Sequence, residues 1–333
     1  TLQQIGQSTT VGGAILRIAA PAPVCKPEWL PADQGVDNTV NAVLSDPSVG
    51  VFAAGSFNTA GSTPVSNIAL YDTGTNTWSA LGAGTDGPVN ALTQLPGGDV
   101  IVAGSFANAG GGAANSIARY NPTNGTWSAL GASPGGGVSG TVYALATLSN
   151  GDVAVGGTIA AADGLSVSNI AIYRPSTNTW LAAGGPGAGT NGDVLSLVPV
   201  GSGDFIAGGI FTTAGGVPAS NIARWNSSTN SWTAFGAGTD GGVTALAALS
   251  GGDVIVGGTF ANAGAAPASN IARLNPATSA WSSLGAGTDS SVRALAVSGN
   301  AVFAAGLFTN AGGQPALRIA RFDTSTNNWS ALG

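Results

Sequence analysis

The sequence predicts an all-β chain, a single β-propeller of four-stranded antiparallel blades. Three observations carry that expectation. The stretch "YDTGTNTWSALG" (71–82) returns further along as "YNPTNGTWSALG", "YRPSTNTWLAAG", "WNSSTNSWTAFG", "LNPATSAWSSLG" and "FDTSTNNWSALG". The spacings within each copy are constant. No stretch carries a helical period, while apolar runs of strand length alternate with turns rich in Gly, Asn and Asp.

Each unit is anchored by the Gly that closes an apolar run. Gly55 is followed at a long step by Tyr71 and at a short one by Trp78. The same two steps join Gly104, Tyr120 and Trp127; Gly157, Tyr173 and Trp180; and Gly209, Trp225 and Trp232. They continue through Gly258, Leu274 and Trp281 to Gly306, Phe322 and Trp329. Within a unit, "VNALTQL" (89–95) alternates and "DVIVAGSF" (99–106) is a continuous apolar run, suited to a strand buried on both faces. "NSIARYN" (115–121) and "TWSALG" (126–131) complete the four, with turn chemistry between strands. The predicted blades are 40–82, 89–131, 142–184, 194–236, 243–285 and 292–333. A unit this short cannot bury both its faces alone, and stacking units around an axis does so. The repeated Trp is expected between blades as structural core.

The same spacing counted backwards from Trp29 reaches Ala22 and Gly6, and "GQSTTVGG" aligns with "GLFTNAGG" at 306–313. Residues 1–35 therefore read as a seventh, degenerate copy without a first strand. Three arrangements follow: a six-blade ring with an appendage, a seven-blade ring with one three-stranded blade, or a blade completed by a strand from another chain. The seven-blade ring is the expectation.

Charged residues are 7% of the chain, against a usual ~25%. With 44% hydrophobic residues it can nonetheless fold, so its polar surface is built from Ser, Thr, Asn and Gly. A net charge of −6 offers no basic patch for phosphate backbones, which argues against nucleic acid. No apolar run approaches ~18 residues, which argues against membrane insertion. There is no His, one Glu (Glu28) and one Lys (Lys26), so general acid–base catalysis and metal ligation lack their usual residues. No catalytic residue, metal or cofactor is expected. Cys25 is the one cysteine, read as an inert thiol.

Chain length varies almost entirely between each Trp and the next first strand. The step from Trp78 to Val89 recurs from Trp232 to Val243 and from Trp281 to Val292. The steps from Trp127 to Val142 and from Trp180 to Val194 are longer. These enlarged loops give the candidate binding residues: Ser133, Pro134, Ser139 and Thr141 in one, Pro186, Thr190, Asn191 and Asp193 in the other. Asp37, Asp86, Asp240 and Asp289 share one repeat position, where Asn191 and Ser139 stand in the long loops. They are read as local turn residues, as are Asp99, Asp152, Asp204 and Asp253. Arg119, Arg224, Arg273 and Arg321 share another position and are expected to pair with repeat Asp residues.

A Gly pair after an apolar strand, then an aromatic, six residues and a Trp, resembles the kelch repeat. The pair is intact at Gly156–Gly157, Gly208–Gly209 and Gly257–Gly258, and is Ala–Gly in the other three units. The pattern is also similar to the "GGxF…IARW…WSALG" repeats of secreted bacterial surface proteins. The resemblance implies an extracellular or cell-surface propeller whose loop face often binds partners. The expected role is a non-catalytic structural or protein-interaction scaffold in an extracellular assembly, with a protein partner or self-assembly. The alternative is a carbohydrate-binding adhesin that takes a glycan on the enlarged-loop face.

Overall fold

The six anchored repeats become six four-stranded antiparallel sheets, and each sheet runs first-second-third-fourth in chain order. The computed structural model describes residues 35–332. The N-terminal copy, with Cys25 and Trp29, lies outside the described residues, apart from Gly35. In the first blade the strands are Thr39–Asp46, Gly50–Ser56, Ile68–Asp72 and Thr77–Ala80. In the second they are Val89–Gln94, Val100–Gly104, Ile117–Asn121 and Thr126–Ala129, within a residue or two of the runs read from the sequence. First strands of successive blades lie side by side, which places them nearest the axis. Asn41 and Asn90 strengthen that seam, their side-chain amides donating to Val89 O at 3.0 Å and Val142 O at 2.9 Å in the next blade.

The anchoring Gly has a steric cause. Every first strand carries a β-bulge against its second strand, as between Val40 and Ala42 or Val194 and Ser196. The bulge pushes a carbonyl onto the facing residue, which is Gly55 in the first blade and Gly209 in the fourth. A Cβ there would overlap Thr39 O or Asp193 O. Only Gly permits that approach, so its spacing repeats as strictly as the bulge does.

Among the described residues, five of the six apolar clusters pack between neighbouring blades, and one, with Phe57, Tyr71 and Trp78, lies on the first blade alone. Phe52, Ala54 and Ile68 of the first blade pack against Val89, Val100 and Val102 of the second. Equivalent clusters join second to third, third to fourth, fourth to fifth and fifth to sixth. The repeated Trp follows the same rule. Its indole N–H donates to a carbonyl of the preceding blade: Trp127 to Leu81 (2.9 Å), Trp180 to Leu130 (3.4 Å) and Trp232 to Ala183 (3.0 Å). Trp281 reaches Phe235 (3.2 Å) and Trp329 reaches Leu284 (2.9 Å). Trp78 and Trp232 are buried, while the other four described copies are half-buried. In most blades the ring also meets the aromatic on the preceding strand, as in the 5.0 Å pair of Tyr71 and Trp78.

Candidate functional site

At each regular junction the interblade loop is tied down by one carboxylate. Asp86 accepts the backbone N–H groups of Ala107 and Asn108, both at 2.9 Å. Asp240 does the same for Ala261 and Asn262, and Asp289 for Thr309 and Asn310. This corrects the expectation of local turns. The acceptor sits on the interblade loop, and its donors sit on the next loop between second and third strands, a whole hairpin further along the chain. The hydrogen bonds hold all three carboxyls below the usual Asp range, led by the Asn108, Asn262 and Asn310 backbone N–H groups respectively. A ring of such carboxylates is thus occupied by backbone donors.

The two enlarged loops treat this clamp differently. In the loop before the fourth blade, Asn191 replaces the Asp and keeps its role, accepting Thr212 N–H (2.8 Å) and Thr213 N–H (2.9 Å). Its neighbours are absorbed too. Thr190 is buried and donates to Gly192 O at 2.7 Å, and Asp193 accepts from the Thr158 hydroxyl at 2.9 Å. Of the four residues read from that loop, Pro186 is exposed without a tie of this kind.

Before the third blade, Ser139 is too short to clamp and is exposed; it lies in the first strand, which starts earlier than in the other blades, at Val138, and pairs with Ala161. The tie runs the other way. Asp163, on the loop between second and third strands, reaches back to accept Ala132 N–H at 2.7 Å and Ser133 N–H at 3.2 Å. Burial acts to raise the Asp163 pKa, but hydrogen bonds from Ser133 and the Ala132 and Ser133 backbone outweigh it, and the carboxyl stays below its usual range. The second strand of this blade also runs on to Ala162 and pairs Leu165–Ser166, unlike its counterparts.

The displaced loop opens a cleft of 690 Å³ between the second and third blades. Its walls include Asp86, Asn115, Ser133, Pro134, Ser139 and Asp163, and Phe106 lies at its base, buried. Three residues read from the sequence therefore meet here, and Thr141 sits half-buried just beyond, in the first strand. Asp163, Asp86 and Asn115 were not singled out as cleft residues. Asp163 stands where the other blades carry Gly, as at Gly110 and Gly215, which is the one signal that could have marked it. The cleft offers hydroxyl, amide and carboxylate groups around a small apolar base.

The opposite face is made of ion pairs. Arg119 pairs with Asp99, Arg224 with Asp204 at 2.7 Å and Arg273 with Asp253 at 2.6 Å, so those Asp residues are more than turn formers. Arg174 adds a looser pair with Asp152 at 3.7 Å. The sixth blade has Ala301 in place of the hairpin Asp, and Arg321 turns to Asp323 at 2.9 Å. Among the described residues no group of three or more His, Cys, Asp or Glu side chains converges as metal ligands would. No helix among them is long and apolar enough to cross a membrane.

Two stretches of the chain, 89–202 and 186–300, match the family described as the Rax2 C-terminal beta propeller domain. Residues 302–325 match a second propeller family, described as a domain of unknown function (DUF5122). No curated protein matches the sequence significantly. Among solved structures, the extracellular domain of the one-component system BT4673 from B. thetaiotaomicron is similar in fold, with a TM-score of 0.54 and 14% identity. The similarity covers 87% of this chain and 35% of that one, so the chain spans about a third of that structure's length.

Proposed function

The chain belongs to the Rax2 C-terminal beta propeller family, and from that premise we propose that it is a non-catalytic extracellular interaction module whose partner is a protein. The observation that carries this is the cleft between the second and third blades. It is the place where the repeat breaks its own clamp, and the break leaves hydroxyls and amides facing solvent. Groups of that kind suit hydrogen bonding to an exposed peptide backbone better than they suit chemistry. The described residues offer no base to activate a nucleophile, and their recurrent carboxylates are engaged by N–H groups or Arg. Extracellular placement is supported by the extracellular domain whose fold is similar and by the repeats of secreted bacterial surface proteins that this sequence resembles. The kelch-like diglycine pattern supports the same placement of partners on the loop face.

A saccharide is the second reading, favoured by the hydroxyl- and amide-rich wall and opposed by the burial of Phe106, which leaves no aromatic platform. The test is capture of partners from an extracellular protein fraction by the whole chain and by Ser133→Arg, which fills the cleft. Loss of a captured protein in the variant supports the proposal. Capture unchanged by Ser133→Arg places the contact elsewhere, and release of the partner by free sugars supports the saccharide reading.

A further inference from the structure

Five blades bury the face they turn toward the next blade, and the sixth does not. The residue three before the anchoring Gly is Phe52, Ile101, Ala154, Ile206 and Ile255 in the first five, each fully buried. Its equivalent in the sixth, Phe303, is only half-buried. The same holds for the Ile that opens each third strand. Ile68, Ile117, Ile170, Ile222 and Ile271 are fully buried, and Ile319 is half-buried.

The sixth blade also departs from the residues that receive a regular next blade. In four blades an Asn with positive φ donates its amide to the following interblade loop, as Asn221 does to Thr239 O at 2.9 Å. Arg318 holds that position in the sixth blade, with φ 66. The residue before it is Ser or Asn in the other five and is Leu317 here, 73% exposed. At the axis, Arg293 stands where Asn41, Asn90 and Thr244 bond the next first strand. The surface thus exposes Leu317 beside the half-buried Phe303 and Ile319, and it lacks the amide and hydroxyl ties to a loop and a first strand.

The described chain starts at Gly35, beside Val36, which bridges Ala60 on the first blade. The segment 1–34 carries the repeat spacing from Gly6 through Ala22 to Trp29 and leads directly into Gly35 and Val36. We propose that the half-open face of the sixth blade, centred on Phe303 and Ile319, is the docking surface for residues 1–34, which carry the same repeat spacing and lead into the first blade.

The experiment is urea unfolding of the full chain carrying Phe303→Asp, Trp29→Ala or both, with light scattering to give the mass. Each single change is expected to lower the unfolding midpoint, and the pair to lower it by little more than the larger single effect, because both remove one contact. An unchanged midpoint for Phe303→Asp, or full additivity, overturns the proposal. If Phe303→Asp does not fold, Ile319→Ser with Trp29→Ala is read by the same criteria. A dimer that dissociates on Phe303→Asp or Ile319→Ser also overturns it, by assigning the face to a second copy.

Discussion

The junction between the second and third blades and the one between the third and fourth have loops enlarged by similar amounts, but they are tied down differently, and the 690 Å³ cleft lies at the first. The difference rests on one position. Asn191 has a side-chain carbonyl long enough to accept two backbone N–H groups, so the enlarged loop before the fourth blade stays pinned. Ser139 has no such reach, and the loop is held instead from across the gap by Asp163. The two enlarged loops thus differ in their ties more than in their length. The cleft lies where the clamp is lost.

The largest effect should separate the two junctions by their tryptophans. Trp232 is buried and makes a 3.0 Å bond across the closed junction, whereas Trp180 is half-buried and its bond is 3.4 Å. Trp232→Ala is expected to cost about 3–5 kcal/mol in denaturant unfolding, the range for large buried aromatics. Trp180→Ala should cost about half as much. Equal costs would show that the cleft does not weaken its junction.

Next comes the clamp itself. Asn191→Ala removes acceptors for two N–H groups and a donor to Thr212, and is expected to cost about 1–2 kcal/mol. It should also speed amide hydrogen exchange at Thr212 and Thr213, the readout that links the loss to the loop. Ser139→Asp tests the converse. Faster proteolysis of the 132–137 loop after this change would contradict the idea that a carboxylate at 139 can pin it.

The smallest effect is one of pH. The Asp163, Asp86, Asp240 and Asp289 carboxyls titrate below their ordinary value of 3.8 when folded. Their stabilisation is therefore present above about pH 4 and fades as pH falls through the folded values. The melting temperature should be nearly level from pH 7 to 5 and drop below pH 4. Asp163→Asn should lower it slightly at neutral pH and converge with the parent protein in acid. A constant gap between the two at all pH values would mean that the carboxylate charge is not what holds the loop.

Much of this was legible in the sequence because a propeller repeats its geometry. The constant steps from Gly to aromatic to Trp located the bulge Gly, the aromatic pair and the strand order, and the Arg–Asp pairs followed from shared positions. The clamps were less legible. Asp86 finds its donors at Ala107 and Asn108, too far along the chain to leave a local pattern, so it and its equivalents read as turn residues. Thr190 read as a loop residue because its position is polar, yet its hydroxyl bonds Gly192 O and the side chain is buried. Asp163 could be seen only as an irregularity, since its use depends on a loop that folds back to meet it.

The indole-to-carbonyl bonds all point the same way, each blade to its predecessor. Such an array has a mechanical sense. Tension applied at the C-terminal end would load the Trp329 bond first, then that of Trp281, so that blades detach in sequence and each rupture releases one repeat of contour length. A molecule built this way yields in steps, and the junction beside the cleft, with its long Trp180 bond, is where the series of steps should show its weakest rung.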